Sequence, residues 1–220
     1  MRRALPWFVV SLAVACAAQE PRVTEPVTPD PEPAPIAAVE PPAPEPEVAP
    51  EPEPEPESRR TPDVVYVPTP QPVVDKMLEL VKPKKGELLY DLGCGDGRIV
   101  VTAAKKYGVR AIGYDIDPNR VAEARENVEK NKVGHLVTIE EKDIFELDLS
   151  AANVITLYLL PELNVKLIPQ LQKLAPGSRI VSHDFDMAGV KPERQLVVPV
   201  KDSRDHDVYL WRTPLKVTSK

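Results

Sequence analysis

The sequence predicts an α/β fold in which helices wind on both faces of a mostly parallel seven-stranded sheet that ends in an antiparallel hairpin. Three observations predict it. From about residue 70 to residue 183, short apolar runs alternate with segments of helical periodicity, the pattern of parallel strands joined by right-handed crossovers. The last two apolar runs, Leu196 to Val200 and Val208 to Arg212, have only the polar turn Lys201 to Asp207 between them, so they read as a hairpin. The first strand also runs straight into a glycine-rich turn and a helix, as strands do in sheets that bind ligands at their carboxyl ends.

The elements follow in order. Thr69 is expected to cap a helix that begins at Pro70, with Val73, Met77 and Leu80 at helical spacing. A strand over 87–92 leads into the turn, and a helix over 98–107 ends at Gly108. A strand over 110–114 precedes a helix over 118–131, with Asp117 as N-cap and Pro118 at the first helical position. Strands over 136–140 and 153–158, a helix over 161–174 and a strand over 178–183 complete the alternation. Phe185 to Arg194 is too short and too rich in Gly and Pro for the helix that would usually precede the sixth strand.

The glycine turn carries the most chemistry. It reads Asp91-Leu92-Gly93-Cys94-Gly95-Asp96-Gly97-Arg98. A dinucleotide turn would place its third glycine one residue later and face a pyrophosphate. Here the third glycine comes early, and the turn carries two carboxylates, Asp91 and Asp96. Carboxylates repel phosphate but suit a cationic ligand with an α-amino group and a sulfonium. Asp115, with Ile116 beside it, lies at the tip of the second strand about 20 residues on, where ribose hydroxyls are usually held. Asp143, after the third strand, has the position to accept from an exocyclic amine, and Ile144 to cover an adenine face. A solvated turn aspartate is the plainer reading of Asp143, and capping alone accounts for Asp117.

Asp91 to Gly97 and Gly113-Tyr114-Asp115 closely resemble the first two motifs of the class I S-adenosylmethionine-dependent methyltransferases, and the resemblance runs from about Val64 to Arg212. It implies a Rossmann-like fold, S-adenosyl-L-methionine as cofactor, and methyl transfer. Tyr66-Val67-Pro68-Thr69-Pro70, Gly95-Asp96-Gly97-Arg98 and the helix after Leu160-Pro161 are more narrowly similar to small protein-lysine methyltransferases. Those act on ATP synthase subunit c and adenine nucleotide translocase, and they have bacterial relatives. The resemblance implies a cofactor set of Thr69, Asp91, Gly93, Gly95, Asp96, Gly97, Asp115, Ile116, Asp143 and Ile144.

The acceptor is expected beyond the fourth strand, at Tyr158-Leu159-Leu160-Pro161-Glu162. Enzymes acting on planar amino groups carry Asn or Asp, then Pro-Pro-aromatic, at this place. The departure here favours an aliphatic amine, so a protein lysine leads and a small-molecule acceptor stays open, as does a binding module that reuses the fold without turnover. Tyr158 and Tyr66 are the candidates for the acceptor channel. His183-Asp184 and His206-Asp207 offer a base and its orienter for an oxygen nucleophile, although such residues more often simply end strands. His135 reads as a turn residue. No metal-ligand spacing appears.

The N-terminal part has a different composition. Arg2-Arg3 precede an apolar run to Ala18, too short to span a bilayer but matching a signal-peptide core over residues 1–18. Leu12-Ala13-Val14-Ala15-Cys16 resembles a lipoprotein cleavage box that would lipidate Cys16, with ordinary cleavage after Ala15 or Ala17 the alternative. Residues 19–60 form a Pro/Glu-rich spacer expected to be disordered and extended, with eleven acids against Arg22 from Glu20 to Glu57. The overall charge of −6 therefore belongs to the spacer, and the folded part over 61–215 is near neutral. With Lys82, Lys84 and Lys85 lacking interleaved aromatics, nucleic acid is not expected as substrate. Two cysteines, Cys16 and Cys94, exclude a disulfide framework. An export signal ahead of a domain using a cytosolic cofactor leaves the cell envelope as the expected location, or the cytoplasm if the signal is not used.

Overall fold

The computed structural model describes residues 66–201 and 203–218. The expectations for a leader over 1–18, a spacer over 19–60 and the start of the folded part over 61–65 lie outside the described residues. The elements are α1 (Gln71–Val81), β1 (Leu88–Leu92), α2 (Arg98–Tyr107), β2 (Arg110–Asp115), α3 (Pro118–Lys130) and β3 (Val137–Glu141). They continue with β4 (Val154–Leu157), α4 (Pro161–Leu171), β5 (Arg179–His183), β6 (Arg194–Val198) and β7 (His206–Arg212). The strands form one seven-stranded sheet in the order β3-β2-β1-β4-β5-β7-β6. β7 alone runs against the others, pairing antiparallel with both β5 and β6.

The sheet is buried on both faces because its strands are apolar at successive positions. Leu89, Ala111, Val154, Val181 and Val208 point to one face, where they meet Val73 and Met77 of α1, Val100 of α2 and Ala124 of α3. Tyr90, Ile155, Ile180 and Trp211 point to the other, where they meet Leu167 and Leu171 of α4. Alternation along each strand therefore fills two layers at once. β1 lies between β2 and β4, so the winding direction reverses there and a crevice opens at the carboxyl ends of the strands.

Local chemistry sets most of the boundaries. α2 occupies the expected 98–107, with Gly97 (φ 74°) ahead of it and Gly108 (φ 62°) behind it, both left-handed. A side chain at Gly97 would also come within 3.0 Å of Ala124 on α3, so this turn requires glycine for its backbone and its packing alike. α3 starts as expected, with Asp117 accepting from the Asn119 backbone N–H and Pro118 following. No helix forms between β5 and β6, in keeping with the Gly and Pro content of that stretch.

Three expectations change. Both hairpin strands start two residues earlier than the apolar runs, β6 at Arg194 and β7 at His206, and β6 ends at Val198. Thr69 does not cap α1; the N-cap is Pro70, in an extended conformation with no side-chain cap bond. The Thr69 hydroxyl is instead 3.0 Å from His183 Nδ1, on a strand end 114 residues away. α4 stops at Leu171 instead of residue 174. Tight i to i+3 turns follow it, from Lys173 to Gln170 and from Leu174 to Leu171, ahead of Pro176, which disfavours helix at Ala175. Leu174 remains buried, which is why the apolar periodicity extends beyond the helix. Among the described residues no helix is long and apolar enough to cross a membrane.

Candidate cofactor and acceptor site

A cavity of about 340 Å³ opens at the carboxyl ends of β1 to β4. It gathers ten of the twelve residues singled out in the sequence: Tyr66, Thr69, Asp91, Gly93, Asp96, Asp115, Ile116, Asp143, Ile144 and Tyr158. Gly95 and Gly97 do not line it; they shape the turn behind the wall.

Asp91, next to last in β1, is 2% exposed. Its Oδ1 accepts a 2.6 Å hydrogen bond from the Thr156 hydroxyl on the neighbouring β4. Its Oδ2 is buried with no hydrogen-bond partner. Burial, opposed by the Thr156 bond and assisted by the Asp115 and Asp96 charges, pushes the Asp91 carboxyl up to about 7. A buried carboxylate with one oxygen left over is a costly arrangement in isolation and an inexpensive one beside a cation.

Asp96 is differently placed. Arg98 binds both of its oxygens, with the Nη2–Oδ2 contact at 2.6 Å. Burial works to raise the Asp96 carboxyl, and the Arg98 bonds and charge overcome it, holding the group below the usual range. The two turn acids therefore do not act alike: Asp96 has its counter-ion, and among the described residues Asp91 has none. Arg98 also donates 2.9 Å to the Thr69 carbonyl, tying the segment before α1 to the turn. Tyr66, 36% exposed, covers that turn. A Cβ on Gly95 would sit 2.1 Å from its ring, and the Arg120 guanidinium lies 4.9 Å from the ring centroid. Tyr66 thus contacts the glycine turn directly.

Asp115 ends β2. Its Oδ2 accepts 2.8 Å from the Gly95 N–H and its Oδ1 accepts 3.0 Å from the Asp117 N–H. These bonds fix the carboxylate while leaving further lone pairs for a ligand. Asp143 Oδ1 accepts 2.9 Å from the Phe145 N–H, which orders the turn after β3 and presents Ile144 to the cavity. Cys94 is buried against Gly113, and burial raises its thiol well above the usual range. It is a packing residue without thiolate character.

The far end of the cavity is aromatic and apolar: Tyr158, Leu159, Leu160, Leu163 and Phe185. Tyr158 stacks on Phe185 at 6.1 Å and lies against the His183 ring at 3.9 Å. The Tyr158 hydroxyl is 3.4 Å from Asp184 Oδ2. Burial, helped by the Asp184 charge, raises the tyrosine above its ordinary value. His183 is fully buried and joins His206 and Asp184 in one cluster, with Arg204 ion-paired to Asp184 from outside. Burial, opposed by Asp184, lowers the His183 imidazole to about 4, so it is neutral. His135 lies in an exposed turn, as expected, and Lys82, Lys84 and Lys85 are exposed.

Three relations escaped the sequence. Thr156 as the partner of Asp91 carries no local signal. The Arg98 clamp on Asp96 is short-range and readable only once the turn geometry is known. His183 and His206 meet because β5 and β7 pair antiparallel; a hairpin folded back on the strand ending at residue 183 is the one signal that would have found them.

The wall fits the cofactor implied by the sequence. The unpartnered Asp91 oxygen suits an α-amino cation, and Asp115 offers fixed lone pairs at the next strand tip. The ANTKMT methyltransferase domain family matches residues 91–194. A protein-lysine N-methyltransferase from Saccharolobus islandicus is 46% identical over 68% of this chain and 94% of its own length. The adenine nucleotide translocase lysine N-methyltransferase of Mus musculus is 33% identical over 61% of this chain, which spans 60% of that protein. A solved RNA methyltransferase from Salinibacter ruber in complex with S-adenosyl-L-homocysteine is 47% identical, with a TM-score of 0.64 over 70% of this chain and 98% of its own. The cavity, its acids and these relatives agree, and the chain belongs to the S-adenosylmethionine-dependent methyltransferases.

Proposed function

We propose that the chain methylates the side-chain amine of a protein lysine. The carrying observation is the acceptor end of the cavity, walled by Tyr158, Phe185 and leucines and lacking the Asn/Asp-Pro-Pro-aromatic reader of planar amines. S-adenosylmethionine supplies a methyl group on a sulfonium. The protein's part is to align a nucleophile and keep it unprotonated. An apolar wall disfavours an ammonium and so lowers a lysine's pKa in the required direction, and the Tyr158 face accompanies the cation that forms. The name of the Saccharolobus islandicus relative supports this reading. The Salinibacter ruber structure is named for RNA, but the basic residues on this cavity wall are committed elsewhere. Arg98 pairs with Asp96, Arg120 with Glu123, and Lys142 with Glu140.

For the cofactor we assign Asp91 Oδ2 to the α-amino group, Asp115 to the ribose hydroxyls, Asp143 to the adenine amine and Ile116 and Ile144 to the adenine faces. Tyr66 and the Thr69 segment close over the glycine turn, and Asp96 acts through Arg98 to hold that closure. For location we favour the envelope, with the leader and spacer read from the sequence tethering the domain through a lipidated Cys16.

Transfer of labelled methyl from S-adenosylmethionine to whole-cell lysate should mark lysine on peptide mapping; label removed by ribonuclease would overturn the lysine assignment. Asp115→Ala removes charge-assisted bonds and should weaken S-adenosylhomocysteine binding on the order of 10- to 100-fold in calorimetry; an unchanged affinity rules out its ribose role. Asp91 titrates near 7 when folded and near 3.9 when unfolded. Its stabilising effect is therefore complete below about pH 4 and lost as pH rises to about 7, at up to about 1.4 kcal/mol per unit. A cation beside it reverses the shift, so S-adenosylhomocysteine affinity should rise up to about tenfold per unit toward pH 7 and then level. Asp91→Asn should flatten both profiles, and a profile equal to wild type would exclude the α-amino assignment. Cys16→Ser should release the protein from the membrane fraction; identical fractionation counts against the anchor.

A further inference from the structure

His183, Asp184 and His206 lie beyond the acceptor end of the cavity, behind Tyr158, and methyl transfer as derived above makes no use of them. We propose that His183 Nε2, His206 Nδ1 and Asp184 Oδ2 form a binding site for a first-row divalent transition-metal ion such as Zn²⁺.

The three atoms form a small triangle. His183 Nε2 and His206 Nδ1 are 2.8 Å apart, and each is 3.2 Å from Asp184 Oδ2. A cation about 2.1 Å from all three would see them roughly at right angles, as in two-histidine, one-carboxylate sites. Two imidazoles and a carboxylate are also the donor set that such ions prefer.

Protons alone do not satisfy this triangle. A neutral imidazole carries one N–H. If one facing nitrogen is protonated, it can donate to the other nitrogen or to the carboxylate, but the bare nitrogen then points its lone pair at the carboxylate oxygen. If both are protonated, two N–H groups oppose each other across 2.8 Å. With Asp184 ionised, as its pair with Arg204 favours, every arrangement leaves one edge repulsive. A cation in the centre makes all three contacts favourable.

The surroundings hold His183 and Asp184 by outer hydrogen bonds, whereas His206 Nε2 is buried without a partner among the described residues. Thr69 Oγ1 lies 3.0 Å from His183 Nδ1; when Nδ1–H donates to that hydroxyl, Nε2 keeps its lone pair for the metal, as outer partners of metal-bound histidines do. His183 closes β5 and His206 opens β7, so paired strands fix both rings. Asp184 adopts φ 59°, its N–H donates to the Asp207 carbonyl, and its Oδ1 accepts from the Asp207 N–H. Its other neighbours are the Tyr158 hydroxyl and the guanidinium of Arg204, whose side chain is 61% exposed. That guanidinium competes with a metal for the carboxylate and has room to leave.

The test uses the full chain without a histidine tag, after chelator treatment. Co²⁺ titration should give visible absorption bands of a protein-bound ion, saturating at one equivalent and bleached by Zn²⁺. His183→Ala and His206→Ala should each weaken binding at least tenfold. His135→Ala, which alters the one histidine outside the cluster, should leave it unchanged. Arg204→Ala should tighten binding several-fold. S-adenosylhomocysteine binding by each variant reports its fold, and His206→Asn replaces any alanine variant that fails this check. Bands no different from free Co²⁺, equal affinity in His206→Asn, or weaker binding in Arg204→Ala would overturn the proposal and leave a hydrogen-bonded cluster.

Discussion

The site depends on one buried carboxylate. Asp91 stands near the end of the central strand, where the winding of the sheet reverses, and one of its oxygens is held by Thr156 across the β1–β4 pair. That bond orients the group without neutralising it. The second oxygen is buried on the cavity wall with no hydrogen-bond partner among the described residues. A domain of this size has only some 5–15 kcal/mol of net stability, so an unpartnered buried carboxyl oxygen is a real cost to folding. The flanking acids increase the demand: Asp115 lies one strand over, and Asp96 lies in the same turn and raises the Asp91 carboxyl even while paired with Arg98.

Around that demand the fold arranges two kinds of wall. On the cofactor side the polar groups are fixed by short-range bonds to backbone N–H groups, as at Asp115 and Asp143, so they need little reorganisation when a ligand arrives. On the acceptor side the wall is made of rings and leucines, and its polar members stand one layer behind. The charged and apolar groups are thereby separated in space. One wall carries the carboxylates Asp91, Asp96, Asp115 and Asp143, and the other is built from Tyr158, Phe185 and leucines.

Much of this was readable from residues alone because it is local. The glycine turn, the acids at three strand tips and the Asp117–Pro118 helix start each lie within a few residues of the strand they end, and a left-handed glycine at each end bounded α2 to the residue. What stayed hidden was tertiary. Thr69 followed by Pro70 has the look of a cap, yet the extended Pro70 backbone takes that place and the threonine hydroxyl serves His183. Nothing near Asp91 in sequence names Thr156. The convergence of His183 and His206 depends on a reversed strand entering between β5 and β6, and periodicity describes strands without saying which ones become neighbours.

That reversed strand has a consequence for how the molecule is assembled. β6 bonds within the sheet to β7 alone, and β7 reaches β5, so residues 194–198 have no place to dock until the later 206–212 segment has been laid down. During synthesis the nucleotide-facing half can pair as soon as it emerges, whereas the opposite margin waits for almost the whole chain. A chain interrupted between those two segments would keep its glycine turn but present the bare edge of β5, with its backbone groups open to pairing with another molecule.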